Sequence, residues 1–466
     1  MDLANLTSQV ITVDGFVWQP FFMPTVLVLV GLLISIRTGL IQIRRFPIAV
    51  RTTLQGAFQK KSSKEGTIKP FQALSTALAA TVGNGNIGGV ATAITVGGPG
   101  AIFWMWVCAA VGMATKYAEA VLAVHYRVTR ETGELASGPM YYITRGIPNQ
   151  SLGKVLAYAF AFFGMAAALF GTGNMAQSNT IADSFVLAAK SIFNLEVSVW
   201  VPSLLITTCV GGVLLGGIKR IAAVAEMIVP TMIVIYVTAA LYYVVMNAGQ
   251  LPGVFSLIFS SAFSPAAAIG GFIGVGVKQA IATGMSRGVL SNEAGLGSAP
   301  IAHGIADVDH PVEQGLVGVF EVFVDTILVC SMTAFIILSS GLWTDPAFQN
   351  ASGSLTAAAM NTTIPGAALI VATCSFFFGF STLIGWAYYG EKCFEFLFGS
   401  GGIKAYKAVF TLLVLVGGII PVPLVWAVGT LLNGFMAFPN LIGLIFLVGT
   451  VSKLTKQFFA NDSVSS

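Results

Sequence analysis

Residues 81–88 read Thr81-Val82-Gly83-Asn84-Gly85-Asn86-Ile87-Gly88, three glycines and two asparagines inside an apolar run from Phe71 to Gly97. A run of that length can cross a bilayer. Glycine and asparagine at its centre weaken the helix, and lipid offers no water to the amides and carbonyls this frees. Such a break persists only where protein, an ion or a ligand satisfies the backbone. The chemistry is therefore binding. Freed carbonyls and amide oxygens suit a hard cation, and the amides that open the following half-helix suit a carboxylate. A zwitterionic amino acid held together with sodium would use both.

A second interruption, Ser291-Asn292-Glu293-Ala294-Gly295-Leu296-Gly297, falls in another apolar segment. Other polar residues lie in similar surroundings. Asn174 and Gln177 are three apart and share a helix face. Ser381 and Thr382 stand one turn before Trp386. Each also has a structural reading: an interhelical hydrogen bond for Gln177, bonding back to the helix for Ser381 and Thr382, core packing for Trp386. Charges inside apolar segments are Lys116, Glu119, Glu226, Lys278, Arg287, Glu293, Glu321 and Asp325. Lys116 and Glu119, at i and i+3, are expected to pair near the inner surface. Arg287 and Glu293 flank the second interruption and are expected to brace its unwound backbone or else to gate the path.

Composition narrows the classes. Of 466 residues, 56% are hydrophobic and 9% charged, against roughly 25% charged in soluble chains. No basic stripe suits a nucleic acid. Gly83 to Gly88 also fits G-x-G-x-x-G, but a helical run precedes it and the next acid is Glu119, so a dinucleotide site is excluded. Cys108, Cys209, Cys330, Cys374 and Cys393 lack metal-ligand spacing and read as small core hydrophobes. No nucleophile and base or paired metal ligands suggest an enzyme, and an asymmetric cluster disfavours a channel.

These residues need helices to hold them. Hydropathy marks eleven spans, roughly 17–37, 71–95, 99–124, 153–186, 198–217, 222–246, 266–303, 314–341, 364–390, 405–425 and 428–452. The fourth and seventh are too long for one simple helix and must tilt, break or include a surface piece. The N-terminal run lacks a cleavable-signal pattern and is expected to be retained. Basic residues concentrate in alternate loops, from Arg37 to Lys69, Arg127 to Arg145, Lys219–Arg220, Lys392 to Lys407 and Lys453–Lys456. That pattern puts the N-terminus outside and the C-terminus inside. Setting span one aside leaves two sets of five, and an odd number forces opposite orientations, as in an inverted repeat. The expected divisions are 1–70, an N-terminal span with a basic cytoplasmic loop; 71–246 and 266–455, the two repeats; and 456–466, a cytoplasmic tail.

With these residues in hand the chain resembles the alanine or glycine:cation symporter family, also called sodium:alanine symporters. The matching stretches are Gly97-Gly98-Pro99-Gly100-Ala101-Ile102-Phe103-Trp104-Met105-Trp106, Met113 to Ala120, Ser291 to Pro300, and Gly385 to Lys392. The resemblance runs from about Val17 to Val451. It implies the leucine-transporter fold, five plus five inverted helices and one extra N-terminal span. It also implies uptake of a small neutral amino acid by symport with sodium, or less often protons, with no organic cofactor. Carried over by position, the substrate contacts are Asn84, Gly85, Gln177, Leu290, Thr382, Leu383 and Trp386, with Leu290 and Trp386 as the apolar wall. Sodium falls to the carbonyls of Ala79 and Val82 and the hydroxyls of Ser381 and Thr382, and a second ion to Thr81 and Asn86. Family members resemble Gly-Thr-Gly-Asn where this chain has Gly83-Asn84-Gly85-Asn86, and carry phenylalanine at Leu290. These departures extend the expected substrates to serine or glutamine. The expected partners are the amino acid, sodium and the lipid bilayer; the sequence sets no oligomeric state.

Overall fold

Local signals explain where the helices start. Pro70, Pro139, Pro300 and Pro311 stand at first helical turns, where a missing N–H costs nothing. Asn149 caps its helix by accepting the Leu152 amide at 3.1 Å. A computed structural model describes residues 3–57, 67–130, 133–263, 276–348, 353–420 and 422–462. Lys60, Lys61, Lys64 and residues 266–275, the start of the seventh expected span, lie outside the described residues.

The chain enters through α1 (Leu3–Val17) and α2 (Met23–Arg37), turns at α3 (Ile41–Arg44) and follows α4 (Phe46–Ala57). The first broken span comprises α5 (Pro70–Thr81), a π-helical stretch Gly85–Gly89, and α6 (Val90–Gly97). Next come α7 (Gly100–His125), α8 (Pro139–Gly146), α9 (Gln150–Phe170), α10 (Met175–Phe193), α11 (Trp200–Leu214) and α12 (Gly217–Met246). After α13 (Leu251–Phe263) the second broken span is α14 (Val277–Asn292) and α15 (Pro300–His303). Then α16 (Pro311–Val322) passes through a π-helical stretch, Phe323–Cys330, into α17 (Ser331–Ser340). The chain closes with α18 (Gly353–Asn361), α19 (Ala367–Phe398), α20 (Ile403–Gly417) and α21 (Val422–Asp462).

Among the described residues seven helical stretches are long and apolar enough to cross a bilayer. The other expected spans correspond to the 15-residue helices α2 and α11 and to the two broken spans. The fourth expected span is resolved by breakage, into α9 and α10. Helices α1, α3, α4, α8, α13 and α18 are additional to the expected spans. Large apolar side chains stand on the outside, Leu215 at 87% and Phe21 at 85% exposure, a surface that suits lipid and not water. Inside, α7 lies against α14 and α16, α10 against α19, and α5 against α12 and α19.

The expected Lys116–Glu119 pair does not form. The Lys116 ammonium sits 3.1 Å from Glu321 on α16, and both side chains are fully buried. Glu119 instead accepts from the Asn440 amide at 2.6 Å. The cause is packing: α7 and α16 run in contact, so the lysine finds a carboxylate across the interface. His303 bonds the other Glu321 oxygen at 2.6 Å, and Gln314 bonds His303 at 2.7 Å.

Candidate functional site

At the first break part of the freed backbone is satisfied by side chains. The Gly83 amide donates to Oδ1 of Asn86 at 2.9 Å, and the Asn84 amide to Oε1 of Gln177 at 3.3 Å. The Asn86 carbonyl accepts from Thr333 at 2.8 Å and the Ile87 carbonyl from Thr356 at 3.2 Å. Thus Asn86 braces its own loop, and α10, α17 and α18 supply the other partners. The Asn84 side chain turns to α19, where Oδ1 accepts from Ser375 at 2.6 Å.

The second break begins where Glu293 adopts φ +56°, a left-handed conformation that costs a non-glycine residue free energy and concentrates at functional positions. Its carboxylate accepts from the Trp386 indole at 2.7 Å and from the Ser298 hydroxyl at 2.5 Å. The expectation that Glu293 braces this interruption fits these contacts. Trp386 is therefore tied as well as packed. Trp386→Phe keeps an aromatic ring but deletes this charge-assisted bond, worth about 1.5–3 kcal/mol. A lower unfolding midpoint in detergent is the expected result; an unchanged midpoint would show the bond to be dispensable.

A third break, Gly171 to Asn174, separates α9 from α10. Gln177 donates to the Thr172 carbonyl at 3.1 Å while its oxygen holds the Asn84 amide. One carboxamide thereby ties the first break to the third.

All three breaks meet on one cavity. Its walls include Thr81, Gly83 and Gly85 from the first, Thr172 and Gln177 from the third, and Leu290 and Glu293 from the second. Thr382 and Trp386 of α19 and Trp426 of α21 complete the polar and aromatic walls. About 20 Å³ is open to the centre of a water molecule, room for one or two waters at about 10–15 Å³ each. Larger cavities of about 510 and 570 Å³ border α10 and α19 but carry no charged lining residue.

Five of the seven residues expected at the substrate are brought together here: Gly85, Gln177, Leu290, Thr382 and Trp386. Asn84 and Leu383 are buried outside the lining. For the ion positions, Gly83 approaches Thr382 and Ala80 approaches Gly385, laying the end of α5 along the middle of α19. Ala79 and Val82 are buried there. Ser381 and Thr382 both donate back to the Phe378 carbonyl at 2.9 Å, leaving oxygen lone pairs free. Thr81 bonds back to Ala77 at 3.1 Å.

Sequence reasoning gave no role to Asp325, Thr172 or Trp426. Asp325 lies in the π-helical stretch after α16, a distortion common at functional sites. Its carboxylate takes Asn86 Nδ2 at 2.7 Å, Ser291 at 2.8 Å and Thr326 at 2.7 Å. It therefore joins both broken spans. The available signal was an aspartate within an apolar run.

A small cavity with amide, hydroxyl and carboxylate groups in its wall, set among the broken helices of a multi-pass membrane protein, fits a solute carrier. The model of the sodium:alanine symporter family matches residues 3–465, and the chain belongs to that family. It is similar to the sodium/alanine symporter AgcS of Methanococcus maripaludis, 47% identical with 98% of each chain covered. It is also similar to the probable sodium/glutamine symporter GlnT of Bacillus subtilis, 36% identical over 92% of this chain and 86% of the relative. Among solved structures, MhsT in complex with L-phenylalanine aligns with a TM-score of 0.58 at 12% identity, over 85% of this chain and 99% of that one. At that identity the likeness concerns the fold, which is of the leucine-transporter type. The chain is accordingly a multi-pass transporter of the cell membrane and not an enzyme.

Proposed function

We propose that the protein takes up a small neutral amino acid by symport with sodium, through alternating access of the central cavity. The observation that carries this reading is the meeting of three helix breaks on one small cavity whose lining includes an amide, hydroxyls and a carboxylate. The substrate carboxylate faces the amides after Gly83, and its body lies between Gln177, Leu290, Thr382 and Trp386. Asn84 and Leu383 act from behind, shaping the wall. One sodium ion takes the carbonyls of Ala79 and Val82 and the hydroxyls of Ser381 and Thr382. A second takes Thr81 and Asn86, with Asp325 supplying the anionic charge. Hard oxygen donors suit this ion.

The eleven spans run with the N-terminus outside, and residues 71–246 and 266–455 are the inverted halves that rock around the site. Residues 1–70 and 456–466 are the flanking segments. Sodium raises substrate affinity and substrate raises sodium affinity by the same factor, on the order of 1–3 kcal/mol. Radiolabelled alanine should accumulate in proteoliposomes under an inward sodium gradient. Equal uptake without the gradient would overturn sodium coupling, and uptake driven by a proton gradient alone would favour proton coupling instead.

A further inference from the structure

We infer that Thr172 forms a side-chain subsite that favours a small amino acid bearing a hydroxyl, serine foremost. This deepens, and rests on, the amino-acid symport reading. The third break brings Thr172 to the cavity wall. It can do so because α21 presents Gly429 to it: a Cβ there would lie 2.6 Å from the Thr172 nitrogen and 3.1 Å from the Gly171 carbonyl carbon. One turn further along the same face, Asn433 donates to the Thr172 hydroxyl oxygen at 2.7 Å.

The Thr172 hydroxyl oxygen is an acceptor toward Asn433, and among the described residues no group accepts its hydrogen. The Asn433 oxygen beside it is buried and also without a partner. The wall thus holds the Thr172 hydroxyl hydrogen in reserve, a donor that a substrate hydroxyl oxygen can accept, with the Asn433 oxygen just behind it.

The hydrogens of the other lining hydroxyls and the carboxamide and carboxylate groups beside them are already engaged. Gln177 is held at both ends, Thr382 donates to its own helix, and both Glu293 oxygens accept.

The test compares sodium-driven uptake of serine and alanine by the intact protein and by Thr172→Val, which keeps the shape and loses the hydroxyl. The ratio of serine to alanine kcat/KM should fall about tenfold, the effect of losing one hydrogen bond of about 1.4 kcal/mol. Thr172→Ser should restore the ratio, and Asn433→Ala should lower it in the same direction. Equal losses for both amino acids in Thr172→Val would overturn the subsite, placing Thr172 at the substrate carboxylate or in the fold. Thermal-shift affinities, read without any gradient, separate the two claims. A serine preference lost in Thr172→Val, with no sodium-driven uptake, would sink symport and keep the subsite. Sodium-driven uptake with an unchanged ratio would do the reverse.

Discussion

Lys116→Met should destabilise the protein by about 3–5 kcal/mol, the usual effect of stripping one partner from a buried ion pair. Lys116 and Glu321 are both fully buried, 3.1 Å apart. The methionine fills the space of the aliphatic stem but leaves a carboxylate in an interior where an uncompensated charge is costly. His303 remains bonded to the other Glu321 oxygen, so the loss should fall toward the lower end. The double variant Lys116→Met, Glu321→Met removes both charges and should recover most of the stability. Thermal unfolding of the purified variants checks this. A single variant as stable as the parent would mean that the pair contributes nothing, and a double variant worse than the single would mean that shape, not charge, matters there.

Gly83→Ala should reduce uptake strongly while the protein still folds. A Cβ at this position would lie 2.5 Å from the Thr382 hydroxyl and 3.5 Å from the Gln177 oxygen. Both neighbours line the cavity, so the methyl group must push the walls apart or fill the space itself. Overpacking of this kind costs typically 1–3 kcal/mol, which as lost affinity is about 5- to 150-fold. Gly89→Ala is the matched comparison. That residue has helical angles, φ −66° and ψ −38°, and its Cβ would meet nothing within 4 Å. Substrate affinity should therefore fall in Gly83→Ala and hold in Gly89→Ala. Equal behaviour of the two variants would remove the close approach at Gly83 from the account.

The two interruptions at Gly83–Gly88 and Ser291–Gly297 were legible because their glycines and asparagines carry a local signature against apolar neighbours. Gly171-Thr172-Gly173-Asn174 carries the same signature, yet the sequence reading used the excess length of that span and placed Asn174 on a helix face with Gln177, whereas Asn174 stands in the break before α10. The composition was the better guide. Gln177 was legible as an unpaired amide, but its two partners belong to separate breaks and depend on how α10 meets α5. Lys116 was misassigned because spacing along one helix says nothing about a carboxylate on its neighbour. Asp325 was seen as a charge without a role. Its meaning depends on the π-helical turn and on two side chains more than thirty residues away, which local pattern does not reach.

The cavity is walled largely by helix ends. Where three spans stop and restart around one space, their half-helices are joined by short connections at which the backbone can bend. A solute that bonds several of them at once braces the joints by which the carrier must move. Grip and speed are then opposed at a single place. Substitutions that tighten binding by adding bonds across the breaks should slow turnover, and the fastest variants should be those whose hinges are least firmly tied when loaded.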